Sequence, residues 1–253
     1  MKNFTTFIIV SLLIFSCSSK RDVIYMQDIN SSSLFDQKMQ EQLIKFGNIL
    51  DISIKSKDPE ALIPLNQPTN TGNINQNRET LILKGYAVDI DGYIEYPELG
   101  KIKVSGLTTN QAGSLISEKL TFFEILTDSY VNVKILNSNF TILGEVTKPG
   151  KYYFDEPNLN ILQAIGMAGD LTINGVREDV KLIRNVKNRQ IVQDIDLTSS
   201  DFILGDSFQI LSGDIIIVNP NTNRVKNAGV IGNSGTLLSL LSFLLSSIII
   251  ITR

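Results

Sequence analysis

The chain has 253 residues, carries 23 basic and 26 acidic side chains, and has a net charge of −3. That length serves one large domain or two small ones with real cores, and basic residues spread evenly along it argue against a nucleic-acid footprint. There is no His and no Trp, and Cys17 is the single cysteine; the commonest general base, the commonest transition-metal ligand, internal disulfides and thiolate clusters are thereby missing.

In chain order, MKNFTTFIIVSLLIFSC comes first. Lys2 gives a positive start and Phe7 to Phe15 an apolar stretch too short to span a bilayer, the pattern of a targeting segment. Ile14-Phe15-Ser16-Cys17 resembles the lipobox of bacterial lipoproteins, although Phe15 is not the favoured residue at its position. The resemblance implies cleavage after residue 16 and diacylglycerol on Cys17; the plain alternative is an ordinary secretion signal with an incidental cysteine. More than one acyl chain gives stable anchoring. Residues 17–38 are polar and read as a tether with at most a short helix.

The first compact unit is expected over residues 39–138. QLIKFGNILDISIK (42–55) alternates as two short strands broken at Gly47-Asn48, and residues 58–79 read as a loop. Asp91-Gly92 is a turn pair between the arms Ala87–Ile90 and Tyr93–Tyr96, and Pro97 with Gly100 marks a second turn before Lys101–Val104. Ala112, Leu115, Ile116, Leu120 and Phe123 recur at helical spacing after a capping box formed by Thr108 and Gln111. Residues 131–136 return to strand.

The second unit is expected over residues 139–220. Two strands flank Lys148-Pro149-Gly150. A short helix then runs from an Asn160 N-cap to Gly169, and residues 179–197 form a hairpin near Lys187-Asn188. FQILSGDIIIVNP (208–220) reads as two closing strands. Strand pairs around one small helix predict an α+β roll of the β-grasp kind.

Residues 221–253 read as a linker and a membrane-spanning helix. Leu237–Ile251 is an uncharged apolar run, and starting at Val230 brings it to spanning length. Ser239, Ser242 and Ser246 share one helical face, with Thr236 at its edge, while the opposite face is apolar. Such a stripe suits a helix that packs on neighbours or lines water. Phe243 and Ile250 interrupt it, and a simple anchor whose serines bond back to their own helix is the alternative. Arg253 is placed to snorkel to headgroups.

Several motifs in one order resemble the bacterial polysaccharide-export outer-membrane lipoproteins. FGNILDISI is similar to their first strand motif, with Asn48 where Asp is usual. Residues 91–100 with 104–108 are similar to their most diagnostic stretch. GEVTKPGKYYF (144–154), ILQAIGMAGD (161–170) and SGDIIIVNP (212–220) look like the soluble-ligand-binding β-grasp (SLBB) module, present once, and Asp128-Ser129 stands where Asp-Pro is common. The resemblance implies an α+β fold with a polysaccharide-export domain over 39–138, an SLBB domain over 139–220 and a C-terminal transmembrane helix. It implies an outer-membrane location with the domains in the periplasm. It further implies a homo-oligomeric ring that exports capsular or extracellular polysaccharide, and an inner-membrane co-polymerase or chain-length regulator, with or without a tyrosine kinase. A lipid-anchored periplasmic scaffold or glycan-binding lipoprotein is the alternative. Tyr152 and Tyr153 are candidate carbohydrate contacts. No catalytic residue, metal or cofactor is expected: Asp89/Asp91 and Asp194/Asp196 are paired acids of the kind glycosidases use, but they read as solvated strand faces.

Overall fold

A computed structural model of the chain describes residues 23–29, 40–57, 62, 65, 78–186 and 189–227, together with 235, 238, 239, 242, 243, 246, 247 and 250. The targeting segment 1–16, Cys17, Thr236 and most of 58–77 lie outside the described residues.

The first unit is built on strand β1 (Ile49–Lys55), in which Leu50, Ile52 and Ile54 are buried while the residues between them are not. That period of two is what a sheet with one covered face requires. β1 is the middle of a three-stranded sheet, between β2 (Tyr86–Ala87) and β5 (Tyr130–Ile135), and is antiparallel to both. A separate hairpin pairs β3 (Tyr93–Tyr96) with β4 (Gly100–Lys103). Helices α1 (Arg78–Lys84) and α2 (Thr109–Phe122) complete the unit. α2 lays Ala112, Ile116 and Leu120 on Leu50, Val133, Ile94 and Ile102 in one core. It approaches β5 so closely at Gly113 that an added Cβ would lie 2.7 Å from the Val131 carbonyl oxygen. The Thr108–Gln111 capping box is present in full.

The second unit is a mixed five-stranded sheet in the order β7-β6-β10-β8-β9. Its strands are β6 (Asn139–Gly144), β7 (Gly150–Tyr153), β8 (Gly175–Val186), β9 (Arg189–Ile195) and β10 (Ile215–Pro220). The first and last of them, β6 and β10, lie side by side and parallel, and the other pairs are antiparallel. With its helix, this sheet makes the unit mixed α+β. Helix α3 (Ile161–Met167) starts at an Asn160 capping box with Gln163 and buries Ile161, Ala164 and Ile165 against Phe140, Ile142, Leu182 and Ile216. Gly144 has φ of +91°, and a Cβ there would lie 2.0 Å from the Val218 carbonyl oxygen, so no other residue fits. A short helix α4 (Thr222–Asn227) follows β10, within the stretch read as linker.

Several elements differ from the sequence expectation. Residues 42–47 form no strand: Leu43 makes a single bridge to Thr108, and the chain then turns at Gly47, with φ of +80°. The buried Asn48 side chain closes this turn by accepting the Lys45 amide at 2.8 Å, so its carboxamide oxygen does what the usual Asp would do. Asp91-Gly92 turns as expected, but the arm before it pairs with β1, so the hairpin closes at the second turn. Helix α1 lies where the sequence read as loop and then went unassigned. It buries no residue, so it shows no apolar period, and only its helix-forming composition hints at it. Phe123 falls outside the core, 55% exposed, because α2 ends one residue earlier. Of the two closing strands only β10 forms; Gln209 makes a lone bridge to Asn160.

The polar stretch read as a free tether is in part docked. Residues 23–29 lie along the second unit, with Tyr25 and Met26 packed on its core. The Met26 and Gln27 amides donate to the Leu197 and Thr198 carbonyls at 3.0 and 2.7 Å.

Candidate functional site

The two units meet in a polar seam. Lys45 Nζ donates to the Ser212 carbonyl at 2.6 Å, and at the junction itself Gln42 Nε2 holds Ser138, the last residue of the first unit, by donating to its Oγ at 3.1 Å. Gln209 is bound to residue 40 through both ends of its amide: it accepts the Gln40 N–H at 2.7 Å and donates to the Gln40 carbonyl at 2.9 Å. Burial holds the Lys45 ammonium below its ordinary pKa, and the nearby Asp214 carboxylate partly offsets this.

Behind the seam, Arg184 and Asp214 form a buried ion pair. Arg184 donates to both Asp214 oxygens, at 3.0 Å from Nε and 2.6 Å from a terminal nitrogen, and also to the carbonyls of Asp206 and Gln209. Asp214 accepts the Leu211 amide at 2.8 Å, closing the turn through Gly213 at φ of +95°. One guanidinium therefore fixes β8, the 206–209 segment and the start of β10 at the surface that meets the first unit. A bidentate, fully hydrogen-bonded pair is the arrangement in which burying two charges is tolerated.

Beside the seam lies a cleft of about 920 Å³, whose lining includes Glu41, Asp51, Arg78, Asn110, Lys134 and Asp155. Arg78 bridges the two units across it. It donates to the Leu136 carbonyl at 3.0 Å, pairs with Asp155, and lies 5.0 Å from the Tyr153 ring centroid. Amides, carboxylates and cations share this cleft with apolar side chains such as Val133, Ile135 and Phe154, a mixed surface that can both hydrogen-bond and pack on a ligand. Among the described residues no cluster of three or more acidic, His or Cys side chains is placed to hold a metal.

The expected site residues are not brought together. Tyr152 stacks on Phe140, with centroids 5.5 Å apart, and its hydroxyl donates to the Lys148 carbonyl, so it belongs to the second core. Tyr153 points the other way and is 45% exposed, with Lys151 Nζ at 5.2 Å from its ring as well as Arg78. The paired acids are exposed and engaged locally: Asp89 accepts the Tyr93 amide, Asp194 pairs with Lys181, and Asp196 accepts from Thr198. In the tail, Ser239, Ser242 and Ser246 are helical and exposed. The Ser246 hydroxyl donates to the Ser242 carbonyl, and Ser247 to the Phe243 carbonyl at 2.8 Å. Among the described residues no helix is long and apolar enough to cross a membrane. Cys17 and Thr236 lie outside the described residues.

The sequence reading missed Arg78, Asp155, Gln209 and the Arg184–Asp214 pair. Of these, only Gln209 and Asp214 fall in a stretch the sequence singles out, FQILSGDIIIVNP (208–220), and nothing in that stretch names their partners.

Two family comparisons fit this two-unit order. Residues 36–136 match the polysaccharide biosynthesis/export protein family, and residues 139–193 match the SLBB domain. Together the matches take up more than half of the chain, and the chain belongs to the polysaccharide export family. Among curated proteins it is similar to the EPS I polysaccharide export outer membrane protein EpsA of Ralstonia nicotianae, with 30% identity over 109 residues, 42% of this chain and 28% of the relative. The protein of the same name from Ralstonia solanacearum is 28% identical over 140 residues, 54% of this chain and 36% of the relative. The matched stretch thus spans well under half the length of these relatives.

Proposed function

We propose that the chain is an outer-membrane lipoprotein whose oligomer forms the conduit by which capsular or extracellular polysaccharide leaves the periplasm. One observation carries the proposal: an export domain followed by an SLBB domain, in a chain similar to relatives named as polysaccharide export outer membrane proteins. Cys17 would bear the lipid, residues 39–138 and 139–220 would be the export and SLBB domains, and the tail would supply one membrane-crossing helix per subunit of a homo-oligomeric ring. In that ring Thr236, Ser239, Ser242 and Ser246 would face the lumen or the neighbouring helix. An inner-membrane co-polymerase or chain-length regulator, with or without a kinase, would deliver the polymer. The role is transport rather than catalysis, with no cofactor.

A second reading is a lipid-anchored scaffold or glycan-binding lipoprotein whose tail is only a tether. The Ser246 and Ser247 hydroxyls favour it, because both bond back to their own helix. Each oxygen still keeps acceptor capacity for water or a neighbour.

The deciding experiment deletes residues 229–253 in cells and images the full-length protein in detergent. The conduit reading expects folded, stably expressed truncated protein, loss of surface polysaccharide, and a closed ring of full-length chains. Normal export by the truncated protein sinks it.

A further inference from the structure

The two routes by which the chain enters and leaves the second unit converge on one loop, Asp170–Gly175. On the entering side, the Tyr25 hydroxyl donates to Asp170, and its ring lies 5.2 Å from the guanidinium of Arg177. Burial, reinforced by the Asp170 hydrogen bond, pushes the Tyr25 hydroxyl above its ordinary pKa. Arg177 is itself buried, donates to the Gly175 carbonyl at 3.2 Å, and has an Nε with no acceptor among the described residues. Asp28 secures the far end of this strap by accepting from the Ser200 amide at 2.8 Å and its hydroxyl at 3.0 Å.

On the leaving side, Pro220 sits opposite Gly175 in the sheet, and the Asn221 amide donates to the Asn174 carbonyl at 2.7 Å. Arg224 of α4 reaches Glu145 Oε1 at 3.2 Å, and the other oxygen of Glu145 accepts the Thr172 hydroxyl at 2.7 Å. Within this loop Ile173 is 72% exposed, and Met167, 40% exposed, lies just before the loop at the end of α3. Of the acids that face it, Glu145 pairs with Arg224, and Asp170 accepts the Tyr25 hydroxyl and the Leu171 amide.

We propose that the Asp170–Gly175 loop is a lipid-contacting surface, with Ile173 seated in the headgroup region of the leaflet that holds the Cys17 acyl chains. The inference rests on the reading of Cys17 as the lipid attachment site. Val23, where the described strap begins, is six residues beyond Cys17. Such a stretch reaches about 20 Å at full extension, whatever its conformation. Tyr25 then pins the strap to Asp170, so the lipid cannot lie far from the loop. The segment leading to the tail leaves from the same end, so on the proposed reading of the tail both membrane attachments draw one surface toward the bilayer, and that surface presents the exposed Ile173.

The test uses the full-length acylated chain bound to phosphatidylethanolamine/phosphatidylglycerol vesicles that contain a lipid-borne fluorescence quencher. Ile173→Cys carries the fluorophore, and Leu83→Cys, at an 86% exposed position on α1 of the first unit, is the control. Both positions are exposed, so the substitutions leave the cores intact. Acylation blocks the thiol of Cys17, so the unsubstituted chain should take up no dye. The expected result is quenching severalfold stronger at position 173 than at position 83. Chains that float with vesicles but show equal or absent quenching at 173 overturn the lipid-contact surface and leave the anchoring reading standing. Dye on Cys17 of the unsubstituted chain, with no flotation, overturns both.

Discussion

The two units solve the same problem with different materials. Each sets one capped helix on a sheet, through Thr108 and Gln111 in the first and Asn160 and Gln163 in the second. The first unit closes its core with apolar side chains, helped by a tight approach of α2 to β5 at Gly113. The second keeps a buried Arg184–Asp214 pair that joins segments far apart in the chain, and it presents that corner to the first unit. Apolar burial is roughly proportional to area and tolerates partial loss. A buried ion pair does not, because removing one partner strands the other. The second unit should therefore fail more abruptly.

The largest effect is expected from Asp214→Ala, which leaves the Arg184 guanidinium buried and unpaired. It should destabilise the second unit by about 4 kcal/mol, read as a lower urea midpoint for hydrogen exchange in β8 and β10. Replacing both partners with apolar residues of similar volume should recover most of that loss. Recovery by Asp214→Asn, which keeps an oxygen for the Leu211 amide, but not by the apolar double variant would argue that the turn, not the charge, is decisive. Next comes Ile116→Ala in the first unit, expected to cost about 3 kcal/mol through the cavity it opens. Exchange protection should fall first in β1, β5 and α2, with the second unit following only so far as the seam transmits the loss.

The matched caps sharpen the comparison, because they isolate one interaction in each unit. Thr108→Ala and Asn160→Ala should each cost about 1 kcal/mol. Both caps carry one backbone bridge, Thr108 to Leu43 and Asn160 to Gln209, which Ala leaves in place, so unequal costs would show that the two cap side chains do not contribute alike.

The smallest effect lies at Asp128. The Ser56 hydroxyl, opposed by slight desolvation and helped by the Lys57 amide, holds this carboxyl below its ordinary value of 3.8. A carboxylate with a depressed folded pKa adds stability that is present above 3.8 and is lost as pH falls through the lower folded value. Ser56→Ala should move the Asp128 titration, followed by NMR, back toward the ordinary value and shrink that acid-side loss. An unchanged titration would remove Ser56 as the cause.

Signals confined to a few neighbouring residues were legible. The caps, the left-handed Gly92 and Gly169, the alternation in β1 and the turn before β7 follow from local sterics and hydrogen bonding, and they appeared where the residues said. The departure at Asp128-Ser129 also has an account: the Ser129 hydroxyl lies 2.9 Å from the hydroxyl of Ser117 on α2, a hydrogen bond that a proline side chain could not make. Helix α1 escaped because it buries nothing and so leaves no periodic trace.

The sequence by itself determined the two-unit order, the helix positions set by their caps, and the motifs that identify the family. These depend on interactions within a turn or a strand. Only the tertiary structure decided which polar residues meet: Arg184 with Asp214, Arg78 with Asp155 and Tyr153, Gln209 with Gln40, and Tyr25 with Asp170. Those partners lie tens to well over a hundred residues apart, and a charge or hydroxyl on a strand reads the same whether it faces water or a partner. The convergence of the strap and the tail's root on Asp170–Gly175 is of the same kind, fixed by how the sheet closes β10 against β6 and β8.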